Sequence, residues 1–232
     1  MLITILVPVY NESAVILKTL EKVNAQEIEN VEFEVIIVDD GSIDNTVEIL
    51  KQHPHLYTRL IELPRNMGKG KAIMTGIDAA QGEYILCQDA DLEYDPRDYP
   101  VLMFPVTNYA ADVVMGSRLT APQYTRVHYF WHKQGNRLIT TIFNVLNNTT
   151  FTDIYSGYFL FKKSLVNAGQ LKAYGWEQQA EILSITVQKG EVFYEVPISY
   201  HGRTYTDGKK IKPHHALAII LMIIKCRFMA HW

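Results

Sequence analysis

The feature that most limits the fold of this chain is a series of short apolar runs that do not alternate with polar residues. Leu2–Val9 (LITILVPV) is rich in β-branched residues and apolar at successive positions, so as a strand it must be covered on both faces. Phe33–Val38 (FEVIIV), Tyr57–Leu63 and Glu83–Cys87 read as three more strands. Helical patterns lie between them. Ser13 is positioned to cap a helix with Val15, Ile16, Leu20 and Val23 on one side. Thr46 to Leu50 continues a short helix, and Gly68–Ala80 carries Ala72, Ile73, Ile77 and Ala80 at helical spacing. Alternating strands and helices predict a parallel sheet with right-handed crossovers. In such sheets ligands bind beyond the carboxyl ends of the strands. Those ends hold Tyr10-Asn11-Glu12, Asp39-Asp40-Gly41 and Asp89-Ala90-Asp91.

The later half is less regular. Val113–Gly116 reads as a short strand leading to Ser117-Arg118, and the segment from Tyr124 to Thr150 holds one or two helices. Ser156–Phe161 alternates like a strand, Trp176–Gln188 is helical and Val192–Val196 is a strand. A polar loop, Pro197–Lys212, leads into a last helix from His215 to Phe228. No repeat or linker interrupts the chain, so it reads as one domain: a sheet-forming half (1–95), an irregular half (96–213) and an apolar C-terminal helix (214–232).

Composition excludes several classes. The chain has 232 residues, enough to bury a core without disulfide or metal staples. Its 22 basic and 25 acidic side chains give a net charge of −3, so no overall basic character points to nucleic acid. Cys87 and Cys226 lie far apart, without metal-ligand spacing, and read as reduced thiols of a reducing compartment. Leu2–Val9 lacks the basic flank of an export signal. The longest apolar run, Ala216 to Ile224, is about half of the roughly 18–20 residues that span a bilayer. It reads first as a buried helix, although Lys225, Arg227, Phe228 and Trp232 behind it would suit a membrane surface.

Asp89-Ala90-Asp91 is the sharpest chemical feature. Two carboxylates at i and i+2 on a strand end can reach one hard cation, and Glu93 is the next alternate residue. Mg²⁺ and Mn²⁺ take such oxygen ligands and complete their shell with water and phosphate. Gly68-Lys69-Gly70-Lys71 opens a helix, a setting that suits phosphate, although alone it is an ordinary solvated turn.

Together these motifs resemble those of the family 2 inverting glycosyltransferases. The resemblance is carried by Val7-Pro8-Val9-Tyr10-Asn11-Glu12, Val38-Asp39-Asp40-Gly41-Ser42 with Asp44 and Thr46, Asn66-Met67-Gly68-Lys69-Gly70 with Ala72, Gly82-Glu83-Tyr84, and Asp89-Ala90-Asp91-Leu92-Glu93 with Asp95-Pro96. In the second half, Gly116-Ser117-Arg118, Ser156-Gly157-Tyr158-Phe159 and Val196-Pro197-Ile198-Ser199-Tyr200 with Arg203 and Gly208-Lys209-Lys210 are similar to the branch of dolichol-phosphate mannosyltransferase and other polyprenyl-phosphate glycosyltransferases. The resemblance implies an α/β GT-A fold: a mainly parallel sheet flanked by helices, with a Rossmann-like nucleotide-binding half and an irregular acceptor half. It implies a GDP- or UDP-hexose donor, Mg²⁺ or Mn²⁺, and a lipid-phosphate acceptor.

Carried over residue by residue, Pro8, Tyr10, Asn11, Glu12, Asp39, Asp40, Gly68, Lys69 and Ala90 belong to the donor site. Asp89 and Asp91 are the catalytic pair and bind donor and metal, with Glu93 as a further metal ligand. Arg118, Arg137, Arg203 and Lys209 face the acceptor phosphate, with Arg126 competing for the place of Arg137. Asp153 is a base if the acceptor is a hydroxyl, and otherwise a turn or cap. Relatives in that branch often carry transmembrane helices, which this chain lacks. The expected location is therefore cytoplasmic, with contact to the cytoplasmic face of a membrane made directly or through a membrane-protein partner. A transferase for saccharide hydroxyls and a non-catalytic nucleotide-sugar-binding module are the alternatives. A sugar nucleotidyltransferase is disfavoured, because Pro8-Val9-Tyr10-Asn11-Glu12 stands where its glycine-rich signature would be. The adjacent His214 and His215 would point apart on a helix and are poor metal ligands.

Overall fold

A computed structural model describes residues 1–120, 130–202 and 215–229. The strands are β1 (Leu2–Val9), β2 (Glu32–Asp39), β3 (Arg59–Glu62), β4 (Tyr84–Cys87), β5 (Val113–Ser117), β6 (Phe159–Lys162) and β7 (Phe193–Pro197). The helices are α1 (Ile16–Asn24), α2 (Thr46–Gln52), α3 (Lys69–Ala79), α4 (Tyr99–Tyr109), α5 (Phe130–Asn147), α6 (Gln178–Lys189) and α7 (His215–Phe228).

The strands form one seven-stranded sheet in the order β3-β2-β1-β4-β6-β5-β7. Neighbours pair in parallel except at β6, which is antiparallel to both β4 and β5. Two reversals cancel, so β5 and β7 run in the same direction as β1, β2 and β4. Their carboxyl ends therefore share one edge of the sheet, and β6 begins there.

Both faces of the sheet are buried. Ile3, Ile5, Val7 and Val9 of β1 pack with Leu20, Leu50 and Leu102 from the layer of α1, α2 and α4. Leu6 points the other way, into the layer that holds Ile73, Phe143, Leu183 and Ile223 from α3, α5, α6 and α7. This is why the strand runs read as continuous apolar sequence. β6 divides likewise, with Phe159 and Phe161 on one face and Leu160 on the other.

Several boundaries differ from the sequence expectation. Ser13 does not cap α1; its backbone N–H donates to Asp44, and Glu12 O accepts from Val15 and Ile16 instead. The segment from Tyr124, by contrast, contributes one described helix, α5, within the one or two expected. Helix α4 went unseen because Pro100 and Pro105 argue against a helix there. Pro100 lies in the first turn, where no backbone donor is needed, and burial of Tyr99, Leu102, Met103 and Val106 offsets the bond that Pro105 cannot make. Cys87 and Cys226 are free and buried, and burial pushes their thiols up to about 12 and about 11.

Asp95 ties the loop after β4 to α1. Its carboxylate accepts from Lys22 Nζ at 3.1 Å and from the Arg97 side chain at 2.8 Å. Burial alone would raise its pKa, but bonds from Arg97 and Lys22 outweigh burial and hold it at about 2. A depressed carboxylate stabilises the fold above its unfolded pKa and loses that contribution as pH falls through the folded value. Asp95→Asn is expected to lose about 2 kcal/mol of unfolding free energy at pH 7 and to flatten the fall in stability between about pH 4 and pH 2. Urea titrations across that range check both effects.

Candidate active site

The first two strand ends are joined by side chains bonding to backbone. Asn11 N–H donates to Ser42 Oγ, Ile43 N–H to Asn11 Oδ1, and Glu12 N–H to Thr46 Oγ1. Asn11 adopts φ +53°, a conformation asparagine tolerates better than most side chains. Asp39 accepts Ser42 N–H through Oδ2, while its buried Oδ1 has no hydrogen-bond partner among the described residues. That orphan acceptor is the kind of group a bound ligand donor satisfies. Pro8, Tyr10, Asn11 and Glu12 are partly exposed around it.

Asp40 faces the start of α3 and accepts Met67 N–H at 2.7 Å and Gly68 N–H at 2.9 Å. Burial raises its pKa against those two bonds. Gly70 N–H donates to Tyr174 O at 2.8 Å. A Cβ on Gly70 would lie 2.3 Å from Ala173 O, so glycine is needed for the α3 start to reach the loop before α6. The Gly-Lys-Gly-Lys segment is thus not an open row of amides awaiting phosphate, as the sequence suggested. Three of its N–H groups are taken, those of Gly68, Gly70 and Lys71, and the cation it delivers is Lys69.

Lys69 Nζ lies 2.5 Å from Asp89 Oδ1, and Trp176 lies 5.6 Å away across its ring centroid. Burial alone would lower the Lys69 pKa, but Asp89, with Asp91 behind it, outweighs burial and holds it above the ordinary lysine value. Ala90 is fixed by Thr19 Oγ1 donating to its carbonyl. Gln88 donates to Asp89 O and accepts from the Tyr99 and Tyr158 hydroxyls. Leu92 adopts φ +62°, an outlier for a bulky side chain of the kind that clusters at functional sites. Asp91 Oδ1 accepts Glu93 N–H across it. A Cβ on Gly157, two residues before β6, would lie 2.5 Å from the Tyr94 ring and 2.9 Å from Asp89 Oδ2, so glycine lets this turn pass close to both.

Glu93 does not complete a set of three metal ligands. Its carboxylate accepts the Tyr200 hydroxyl at 2.9 Å, and His201 N–H donates to its carbonyl. Among the described residues, no three His, Cys, Asp or Glu side chains are grouped to hold a metal. The Asp89–Asp91 pair still fits a hard cation that brings its own phosphate and water ligands, because such cations need only one or two protein carboxylates.

Arg118, expected on the acceptor side, pairs its guanidinium with Asp153, with Nε to Oδ2 at 2.7 Å and Nη2 to Oδ1 at 2.9 Å. Nη2 also donates to Tyr155 O, and the Tyr200 ring lies 5.0 Å from the guanidinium carbon. The Arg118 side chain is 12% exposed and that of Asp153 0%. Burial alone would raise the Asp153 pKa; Arg118 outweighs it and holds the carboxyl below its ordinary value. Asp153 is therefore not a poised base: it is a buried counter-ion that also accepts Tyr155 N–H at 3.3 Å, the turn role the sequence allowed. Arg137 is on the exposed side of α5. Arg126, Arg203 and Lys209 lie outside the described residues.

The sequence reading missed Trp176, Tyr155, Gly157 and Tyr200 as site components. Tyr155 donates its hydroxyl to Trp176 O. Trp176 reads locally as the start of a helix, and only tertiary packing brings it to Lys69. Breaking a buried ion pair from one side leaves an uncompensated charge. Arg118→Met is accordingly expected to lose about 3 kcal/mol or more in urea unfolding, and Arg118→Met with Asp153→Leu to recover much of it. Unchanged stability in the single variant contradicts the counter-ion role.

Comparison with known proteins agrees with the geometry. Residues 4–169 match the family described as glycosyl transferase family 2. Among curated relatives, a low-salt glycan biosynthesis hexosyltransferase of Haloferax volcanii is 29% identical over 202 residues, 87% of this chain and 48% of that protein. An undecaprenyl-phosphate 4-deoxy-4-formamido-L-arabinose transferase of Proteus mirabilis is 26% identical over 212 residues, 89% of this chain and 62% of that protein. The chain thus spans about half to three-fifths of the length of these two relatives. A UDP-N-acetylglucosamine–dolichyl-phosphate N-acetylglucosaminyltransferase of Methanococcus voltae is 29% identical over 216 residues, 85% of this chain and 84% of that protein. Among solved structures, glucosyl-3-phosphoglycerate synthase of Mycobacterium tuberculosis, in complex with Mn²⁺, UDP and phosphoglyceric acid, superposes with a TM-score of 0.73. It is 18% identical, with 98% of this chain and 79% of that one covered, a likeness that shows the shared GT-A fold. With its motif series gathered along one sheet edge and most of its length matched, the chain belongs to glycosyl transferase family 2.

Proposed function

We propose that this chain transfers a hexosyl group from a nucleotide sugar to a polyprenyl phosphate with inversion at the anomeric carbon. The observation that carries the reading is the carboxyl edge of the sheet. There lie the orphan Oδ1 of Asp39 at the end of β2 and, past β1, the Asp89–Asp91 pair after β4, with the Lys69 ammonium reaching Asp89 from the start of α3. Asp39 would accept a donor from the nucleoside. Lys69 would reach the diphosphate, whose negative charge grows as the glycosidic bond breaks. Asp89 and Asp91 would hold Mg²⁺ or Mn²⁺, which when bound supplies Lewis-acid compensation of that charge.

The acceptor assignment rests on what Asp153 cannot do. A base for a sugar hydroxyl needs a pKa near the working pH and a path to the substrate. Asp153 is buried, paired in two-pronged fashion with Arg118 and held below the ordinary carboxyl range. A phosphate acceptor is already anionic and needs positioning rather than deprotonation. Arg137, Arg203 and Lys209 are the proposed positioning cations. Relatives named for undecaprenyl- and dolichyl-phosphate substrates support this acceptor class. Mannose from a guanosine donor and glucose from a uridine donor both fit.

A lipid acceptor also needs a bilayer contact, and α5 with α7 offers one. Trp131, Leu138 and Val145 are exposed along α5, and Leu217, Leu221, Ile224 and Phe228 along α7. Both helices bury their opposite sides in one core layer, so both exposed stripes face outward. Neither helix contains an acidic residue, and Lys225 and Arg227 occupy the last turn of α7. No helix among the described residues is long and apolar enough to cross a membrane. A basic, acid-free apolar face suits an anionic cytoplasmic leaflet.

Purified protein is expected to glycosylate a polyprenyl phosphate in preference to soluble saccharides. Asp91→Asn should keep the fold and lose about 100-fold or more in turnover. Near-normal activity in that variant, or transfer only to saccharides, overturns the respective assignment. Leu221→Glu with Phe228→Glu should abolish co-sedimentation with anionic vesicles at low salt. Unchanged sedimentation, or none for the unmodified protein, rules out this face as the docking surface.

A further inference from the structure

We propose that Lys69 is a resident cation that guards the metal site: it neutralises Asp89 until a divalent metal arrives, then transfers to the donor diphosphate. The proposal rests on the reading of Asp89 and Asp91 as cation ligands. Lys69 Nζ occupies Asp89 Oδ1 at 2.5 Å, so one oxygen that a hard cation would use is already taken. An ammonium and a dication cannot both sit in contact with that oxygen without strong mutual repulsion.

The backbone around Lys69 is pinned, so only the side chain is free to move. Gly68 N–H is bonded to Asp40, Gly70 N–H to Tyr174 O, and Gly70 leaves no room for a Cβ. The opposing loop is also fixed. The buried Glu181 carboxylate accepts Lys172 and Ala173 N–H, and the Tyr155 hydroxyl bonds Trp176 O. On this anchored loop the Trp176 ring lies 5.6 Å from the ammonium. That face favours the cation while its partner changes. Lysine suits this task, because its charge sits on a flexible four-carbon stem and not on a rigid fork.

Competition of this kind has an unusual signature. Removing the ammonium should help the bare metal and harm the nucleotide, whereas a merely structural lysine would move both the same way or neither. Free Mn²⁺ measured by electron paramagnetic resonance gives metal affinity without any turnover. Lys69→Gln is expected to bind Mn²⁺ alone about two- to fivefold more tightly than the unmodified protein, the range of one freed, partly exposed ion-pair partner. UDP binding at saturating Mn²⁺ should weaken by a similar factor. Lys69→Arg keeps the charge and should leave Mn²⁺ affinity nearly unchanged.

A second measurement needs no variant. Acetylation of the unmodified protein, read by mass spectrometry at Lys69 against its other lysines, should rise when Mn²⁺ is added alone and fall when UDP follows. Equal or weaker Mn²⁺ binding by a folded Lys69→Gln protein, or Lys69 labelling indifferent to Mn²⁺, overturns the guard role. If the unmodified protein takes up no Mn²⁺ with or without UDP, the metal-site reading itself fails, and the guard role with it.

Discussion

Burial of both faces of the central sheet is the constraint on which the rest depends. Apolar residues fill most positions of β1, β2 and β4, and the buried polar side chains within β1 and β2, Thr4 and Glu34, are bonded to each other, so no free polar group is displayed along these strands between their ends. Polar chemistry is left to the places where strands stop. The antiparallel insertion of β6 keeps β5 and β7 aligned with the rest and brings the ends of both halves to the same edge. Asp39, Asp89, Arg118 and Tyr200, distant in sequence, come to one region of the fold by this route.

Electrostatics at that edge is largely settled inside the protein. Arg118 is paired with Asp153, Asp40 with the turn before α3, and Lys69 with Asp89. These pairings explain how an acidic protein can gather several carboxylates without a bound ligand. They also divide the site. The Arg118–Asp153 pair is deeply buried and rigid, whereas Lys69 and Asp89 are about one-quarter exposed and within reach of an incoming charge. The fixed pair builds the wall, and the accessible pair responds to substrate.

Much of the first half was legible because local signals coincide there. β-branched runs fix the strands, and Asp-Asp-Gly-Ser and Asp-Ala-Asp mark where they stop. Helix α4 was hidden because its prolines oppose the local pattern and only tertiary burial overrides them. The partner of Arg118 was hidden for a similar reason. A sequence shows that an arginine follows a strand, but not that a carboxylate thirty-five positions later will take its guanidinium. Trp176 left no local sign at all, because its contact with Lys69 depends on Gly70 allowing the start of α3 to touch the loop before α6. Arg203 and Lys209 lie outside the described residues.

Recognition of a nucleotide at the carboxyl edge is the central claim, and a thermal-shift screen tests it most directly. The unmodified protein would be heated with UDP, GDP and their hexose conjugates, each with and without Mn²⁺. A ligand that binds only the native state raises the melting temperature in proportion to the logarithm of its concentration over Kd. The expected result is a marked rise with one nucleotide class, larger with Mn²⁺ than without, and absent in an Asp89→Asn variant that melts normally on its own. No shift with any nucleotide, or an equal shift in Asp89→Asn, would contradict the assignment of this edge as the donor site.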